Sequence, residues 1–175
     1  MRKDIVKSTW VFCKKRKPSG EVSRCKSRLC VRGDLTKNTC TSDEVFAPVV
    51  DWIAVRMLFA LGVVENWQTA LTDFKNAFAQ AKLPEPLCPE LPPGFQHANP
   101  GHKDKVVRVN TSLCGDARAA NLWCKKIAKT LINDLKFSAA ELDPCLFVRH
   151  DCIVVLCVDD AIVLSRDRAG VGKLR

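Results

Sequence analysis

Two adjacent aspartates, Asp159 and Asp160, interrupt an otherwise apolar stretch. Ile153 to Val158 precedes them and Ala161 to Leu164 follows. Each flank has the length and β-branched content of a buried strand, so the sequence predicts a tight hairpin with the acidic pair at its tip. Neighbouring carboxylates repel, and apolar surroundings make this worse unless a cation lies between them. The pair reads as a seat for a divalent metal; the plain alternative is a polar turn. A third carboxylate weighs toward the metal. Asp73 closes a strand-like run beginning near Trp67, in Leu71-Thr72-Asp73-Phe74-Lys75-Asn76-Ala77-Phe78, and a turn or short helical piece should follow. If that strand lies beside the hairpin, Asp73 and Asp159 meet at one end of the sheet. Three carboxylates there could hold two magnesium ions about 4 Å apart, an arrangement suited to in-line phosphoryl transfer.

A chain of 175 residues with 47% hydrophobic content supports one good core and at most a small second lobe. No apolar run approaches membrane-spanning length, and no hydrophobic segment follows the basic N-terminus. The expectation is a chain with no secretion signal, no transmembrane helix and no membrane partner. The formal charge of +9 is unevenly spread. Residues 1 to 37 carry 12 Lys/Arg against 3 Asp/Glu, and the remainder carries 16 of each. The excess marks a nucleic-acid-facing lobe on a neutral body, against the alternative of a basic surface with no specific partner. Ten cysteines without a signal peptide argue against a disulfide framework. No Cys-x-x-Cys occurs, and His97, His102 and His150 do not pair with cysteines at zinc-finger spacing. Cys25/Cys30 and Cys152/Cys157 come closest to ligand pairs, and both lie in expected strands.

Residues 8 to 33 read as a strand, a turn at Lys17-Pro18-Ser19-Gly20, and a second strand. Arg24, Lys26, Arg28 and Arg32 fall at even spacing and share one face. Such a row suits a phosphate track or a triphosphate; otherwise it is a solvated strand face. Pro48 is expected to open a helix whose core-facing stripe is Val49, Val50, Ile53, Met57, Ala60, Leu61 and Val64. The proline-rich stretch from Pro84 to Pro93 cannot be regular helix, and Pro92-Pro93-Gly94-Phe95 makes a rigid corner. A short strand is expected around Lys105 to Val109. Leu122, Trp123, Ile127, Leu131, Ile132 and Leu135 describe an amphipathic helix with Lys125, Lys126 and Lys129 outward, backing the hairpin's sheet. Asp143-Pro144 breaks it. The order of elements predicts an α+β layer of antiparallel strands backed by helices.

Eight blocks of this sequence, in order, are similar to a known family: Trp10-Val11-Phe12; Lys26 to Gly33; Glu44 to Val50; Asp73-Phe74-Lys75-Asn76-Ala77-Phe78; Pro92 to Phe95; Ser112 to Gly115; Asp143 to Phe147; and Cys157-Val158-Asp159-Asp160. Over roughly residues 9 to 166 the chain resembles the reverse transcriptase domain of copia-type retrotransposons. The resemblance implies right-hand polymerase fingers and palm in an α+β fold, with an antiparallel palm sheet backed by helices and no thumb. A fingers-like basic lobe would occupy residues 1–66 and a palm-like catalytic lobe residues 67–175. Asp73, Asp159 and Asp160 become the catalytic, metal-binding carboxylates. Asp73 and Asp159 would bridge two Mg2+ ions, with Mn2+ as a substitute, one ion activating the primer 3′-hydroxyl and one steadying the triphosphate. Phe78 matches the aromatic that closes the sugar pocket against a 2′-hydroxyl, or else packs in the core. Lys26, Arg28 and Arg32 would meet the triphosphate or template. The implied partners are an RNA template, a DNA primer, dNTP and other parts of a Pol polyprotein, and the implied location is a cytoplasmic virus-like particle.

The departures are equally specific. Where the family reads Gly-Leu-Lys-Gln-Ala-Pro-Arg-Ala-Trp, this chain reads Gly115-Asp116-Ala117-Arg118-Ala119-Ala120-Asn121-Leu122-Trp123, so Arg118 takes the place of a glutamine near the nucleotide. At five positions where the family has tyrosine, this chain has Cys25, Cys88, Cys114, Cys124 and Cys157, and it contains no tyrosine at all. Tyrosine and cysteine codons differ by one base, which is the pattern of a copy accumulating mutations. The alternative function is therefore a catalytically decayed relic that at most binds nucleic acid. A cysteine-rich metal module is a third reading, and it lacks ligand spacing.

Overall fold

The computed structural model describes residues 5–34, 40–95, 101 and 105–166; His97 and His102 lie outside them. Ten strands and four helices occur among the described residues. In chain order they are β1 (Ile5–Val6), β2 (Ser8–Arg16), β3 (Val22–Val31), α1 (Ser42–Val45), α2 (Trp52–Val64), β4 (Gln68–Asp73), α3 (Ala77–Gln80), β5 (Lys82–Pro89), β6 (Val109–Thr111), α4 (Ala119–Asn133), β7 (Ser138–Ala139), β8 (Leu146–Arg149), β9 (Cys152–Cys157) and β10 (Asp160–Ser165). The class is α+β. The chain divides into two compact units, Met1–Val45 with Phe78–Leu122 and Phe46–Ala77 with Trp123–Arg175. This division differs from a single cut after residue 66. The reason is that α2, which precedes that cut, packs on the C-terminal hairpin, while β5, which follows it, pairs with N-terminal β1.

In the second unit a five-stranded antiparallel sheet runs β4-β10-β9-β8-β7. Strand β9 is the centre of it and is buried on both faces, which is why Ile153 to Leu156 is a continuous apolar run. Side chains alternate between two cores, as the pleat requires. Val154, Leu156, Ala161 and Val163 pack with Leu131 and Ile127 of α4. Ile153, Val155 and Leu164 pack with Val55 and Leu58 of α2 on the other face. So α4 backs the hairpin's sheet, as its amphipathic pattern predicts.

The expectation for α2 needs correcting on two points. The helix starts at Trp52 and not at Pro48, because Asp51 caps it by accepting the Ile53 N–H at 2.7 Å. The buried face is Val55, Leu58 and Gly62, whereas Ile53, Met57, Leu61 and Val64 of the expected stripe are exposed. A helix that is apolar all round carries no periodic signal to say which face packs. The choice is made by tertiary contact, and Gly62 lies where an added Cβ would stand 3.0 Å from Leu164 Cδ2. Asp143 ties this end together, its carboxylate accepting the N–H groups of Cys145 at 2.8 Å and Asp51 at 3.2 Å.

In the first unit β2 and β3 form the expected two-stranded ribbon around a turn closed by the Gly20 N–H to the Lys17 carbonyl, 2.9 Å. A second sheet runs β1-β5-β6, with β1 parallel to β5. Proline-bearing β5 was expected only to be non-helical. It is a strand because its pairing with β6 jumps from Lys82 to Leu87, over Pro84 and Pro86, where no backbone N–H is available to donate. The strand expected around Lys105 to Val109 is shorter and later, at Val109–Thr111, with a single bridge from Val106 to Glu90. The loop before α4 meets the end of β3: Val31 donates to the Cys114 carbonyl at 2.9 Å, and Gly115 has φ 89°.

Candidate active site

The acidic tip is built by strand register. Cys157 pairs with Asp160 across a two-residue loop of Val158 and Asp159, so Asp160 is the first residue of β10 and Asp159 lies in the turn. Val158 has φ 59° while Asp159 has no positive φ, as a type II′ turn requires. A β-branched residue is rarely found in this region of φ, so the loop is strained. Two contacts bracket it. The Trp123 indole donates through Nε1 to the Val158 carbonyl at 2.7 Å, and the Phe74 N–H donates to the Asp159 carbonyl at 2.9 Å. Trp123 is 1% exposed and meets Phe74 edge-on, ring centroids 5.2 Å apart.

The same register places Asp73 directly opposite Asp160. Because Phe74 and Asp159 form the hydrogen-bonded pair, Asp73 and Asp160 form the closer, non-hydrogen-bonded one, and facing residues share a side of the sheet. That side also bears Leu71 and Ile162. The sequence reading paired Asp73 with Asp159; in the structure Asp160 is the cross-strand partner and Asp159 stands opposite Phe74. All three aspartates are exposed, and among the described residues none of them is ion-paired.

No group of three or more His, Cys, Asp or Glu side chains close enough to hold a metal ion occurs among the described residues. What the register presents is a facing pair of carboxylates with a third on the adjoining loop. That donor set suits magnesium, which keeps several waters and is commonly held by one or two carboxylates together with substrate phosphates. All ten cysteines are thiols. Cys157, beside the turn, is half-buried; burial pushes its thiol up, with the carboxylates of Asp160 and Asp143 adding to the shift. Burial also raises Cys145, to about 12, with Asp143 next in effect.

The remaining candidates lie in the first unit. Arg24, Lys26 and Arg28 occupy one face of β3, opposite Lys15, Cys13 and Val11 of β2. Arg24 and Arg28 are exposed and Lys26 is half-buried. Arg32 is one residue past the strand, and its guanidinium binds Asp34 through two hydrogen bonds of 2.8 and 2.6 Å. Arg118 turns back on Asp116, Nε to Oδ1 3.4 Å, and Asp116 also accepts the Arg118 N–H at 3.0 Å. Phe78 is half-buried in α3.

The family description "Reverse transcriptase (RNA-dependent DNA polymerase)" matches residues 2–175. The chain belongs to the reverse transcriptase family. Its relatives are copia-type. This reverse transcriptase domain is 30% identical to the Retrovirus-related Pol polyprotein from transposon TNT 1-94 of Nicotiana tabacum, over 97% of this chain and 13% of that protein. It is 28% identical to the Pol polyprotein from transposon RE2 of Arabidopsis thaliana, over 93% of this chain and 11% of the relative. To the Transposon Ty1-LR2 Gag-Pol polyprotein of Saccharomyces cerevisiae it is 26% identical, over 94% and 9% respectively. The reverse transcriptase domain thus spans only 9–13% of the length of these relatives. No solved structure matches it. No helix among the described residues is long and apolar enough to cross a membrane.

Sequence alone gives Trp123 and Val158 no site role of their own: Trp123 belongs to an apolar helix stripe and closes the Gly115–Trp123 block, and Val158 belongs to the block that carries the acidic pair. A signal was available: a fully buried tryptophan needs an acceptor for its indole N–H.

Proposed function

We propose that this chain is the fingers and palm of an RNA-directed DNA polymerase of a copia-type retrotransposon. The β2–β3 ribbon and its neighbours act as fingers, and the five-stranded sheet with α2 and α4 acts as the palm. The observation that carries the reading is the register of β4 and β10, which sets Asp73 against Asp160 with Asp159 on the adjoining loop. Divalent magnesium, or manganese in its place, would be held by the facing pair Asp73 and Asp160 together with substrate phosphates, with Asp159 on the adjoining loop as the third candidate carboxylate, and would supply charge neutralisation and a more acidic primer 3′-hydroxyl. The chain's own residues do the positioning. Asp73 and Asp160 present paired oxygens from a rigid sheet, and the turn brings Asp159 to the same end. Arg24, Lys26 and Arg28 supply a row of cations for the phosphates of template or triphosphate, and Phe78 closes the sugar pocket. Arg32 contributes less, since Asp34 already binds it. The partners are an RNA template, a DNA primer and dNTP, within a longer Pol polyprotein.

A second reading, a decayed relic that binds nucleic acid without extending it, is favoured by Arg118, which stands in place of a glutamine and is bound to buried Asp116. Primer extension on an RNA template with magnesium decides between them. Extension that is abolished by Asp159→Asn supports the polymerase; no extension at any magnesium or manganese concentration supports the relic.

A further inference from the structure

Val158 holds a backbone conformation that its branched side chain disfavours, in the loop that carries Asp159 and leads into Asp160. Such a loop keeps its shape only when its surroundings over-determine it. One side chain reaches both arms of the site. The Trp123 indole hydrogen-bonds the carbonyl of Val158, immediately before Asp159, at 2.7 Å. Its ring packs against Phe74, immediately after Asp73, and Phe74 in turn donates to the Asp159 carbonyl. The indole N–H has no acceptor capacity to satisfy and is sealed from solvent, so the bond is made in dry surroundings where it is strong. Trp123 sits on α4, which packs on the same sheet through Ile127, Ala128 and Leu131 together.

We propose that Trp123 is a positioning residue that clamps the strained acidic turn to the Asp73 strand and thereby sets the spacing of the carboxylates. The proposal rests on the polymerase reading for the purpose of that spacing, but the clamp itself is testable without activity. Metal sites whose supporting groups are removed lose affinity by about 10–100-fold.

The test uses the full chain, isotopically labelled, with amide exchange read at Phe74 and Asp160 and with Mn2+ titration. Trp123→Phe should speed exchange of the Phe74 N–H by about tenfold or more and weaken Mn2+ binding by a similar factor. Leu131→Ala, two turns further along α4, should lower thermal stability while leaving Mn2+ affinity unchanged. Adding Val158→Gly to Trp123→Phe should restore much of the loss, because glycine accepts φ 59° without strain. The proposal is overturned if Trp123→Phe matches the wild type in both readouts, or if Leu131→Ala weakens Mn2+ binding equally. Should the wild type bind no Mn2+, the polymerase reading fails, and the Phe74 exchange rate alone decides the clamp. Should Trp123→Phe not fold, the wild-type indole resonances decide it. Trp123 Nε1–H must then shift on addition of Mg2+ while Trp10, Trp52 and Trp67 do not, and an unmoved Trp123 signal refutes the clamp.

Discussion

Asp73 and Asp160 face one another across β4 and β10 as a non-hydrogen-bonded pair, two like charges on one side of a sheet. Directly opposed like charges destabilise a sheet by about 0.2–1 kcal/mol. Asp160→Asn should therefore make the fold slightly more stable while removing any polymerase activity. Magnesium should raise the melting temperature of the wild type and leave that of Asp160→Asn unmoved. Thermal melts with and without the ion check this, and a variant less stable than the wild type would contradict it.

The Cys157 thiol reports on the same charge. Its pKa is raised first by burial and then by Asp160 and Asp143. The thiolate is the reactive form, so lowering that pKa speeds alkylation. Asp160→Asn should accelerate alkylation of Cys157 at pH 8 by a factor of roughly two to ten, the burial contribution remaining. Saturating magnesium should accelerate it in the wild type and have no effect in the variant. Cys145, raised to about 12, should stay unreactive throughout, while exposed Cys13 and Cys25 react first. Mass spectrometry of timed aliquots gives all four rates.

Removing cations from β3 should change the salt dependence of RNA binding more than its sequence preference. Each phosphate contact on a single strand contributes a slope of about 0.7 in log affinity against log salt. Lys26→Ala with Arg28→Ala should lower the slope by about 1.4. Arg32→Ala should lower it by much less, because Asp34 already occupies that guanidinium. Fluorescence anisotropy at several salt concentrations separates the two outcomes.

Gly115 and Gly20 have nearly the same backbone, φ 89° and 87°, in different surroundings. A Cβ on Gly115 would overlap the Val31 carbonyl, whereas one on Gly20 would meet nothing within 4 Å. Gly20→Ala should cost about 1–3 kcal/mol from conformation alone. Gly115→Ala should cost clearly more and detach the loop from β3. Denaturant unfolding of both variants measures the difference.

The hairpin, its two acids and the helix behind it were legible because period and length agree there: β9 is apolar throughout, and α4 repeats at helical spacing. The face of α2 was not legible, since Trp52, Ile53, Met57 and Val64 are as apolar as the Val55 and Leu58 that pack. Strand β5 was hidden by its prolines, which are tolerated because the ladder skips them. Two-residue β1 leaves too little pattern to detect. Within the site, sequence gave three acids but not their register. Which aspartate faces Asp73 depends on a loop of two residues, and a one-residue slip would exchange Asp159 for Asp160.

Among the described residues strand β4 sits at the edge of its sheet, paired with β10, which ends at Ser165. During translation β4 leaves the ribosome long before β10 exists. A nascent or prematurely terminated chain therefore carries an unmatched strand that includes exposed Leu71, open to pairing with a neighbour on the same polysome. The strand that completes the acidic pair is also the one that covers the inner side of β4, so a chain stopped before it leaves both sides of β4 open.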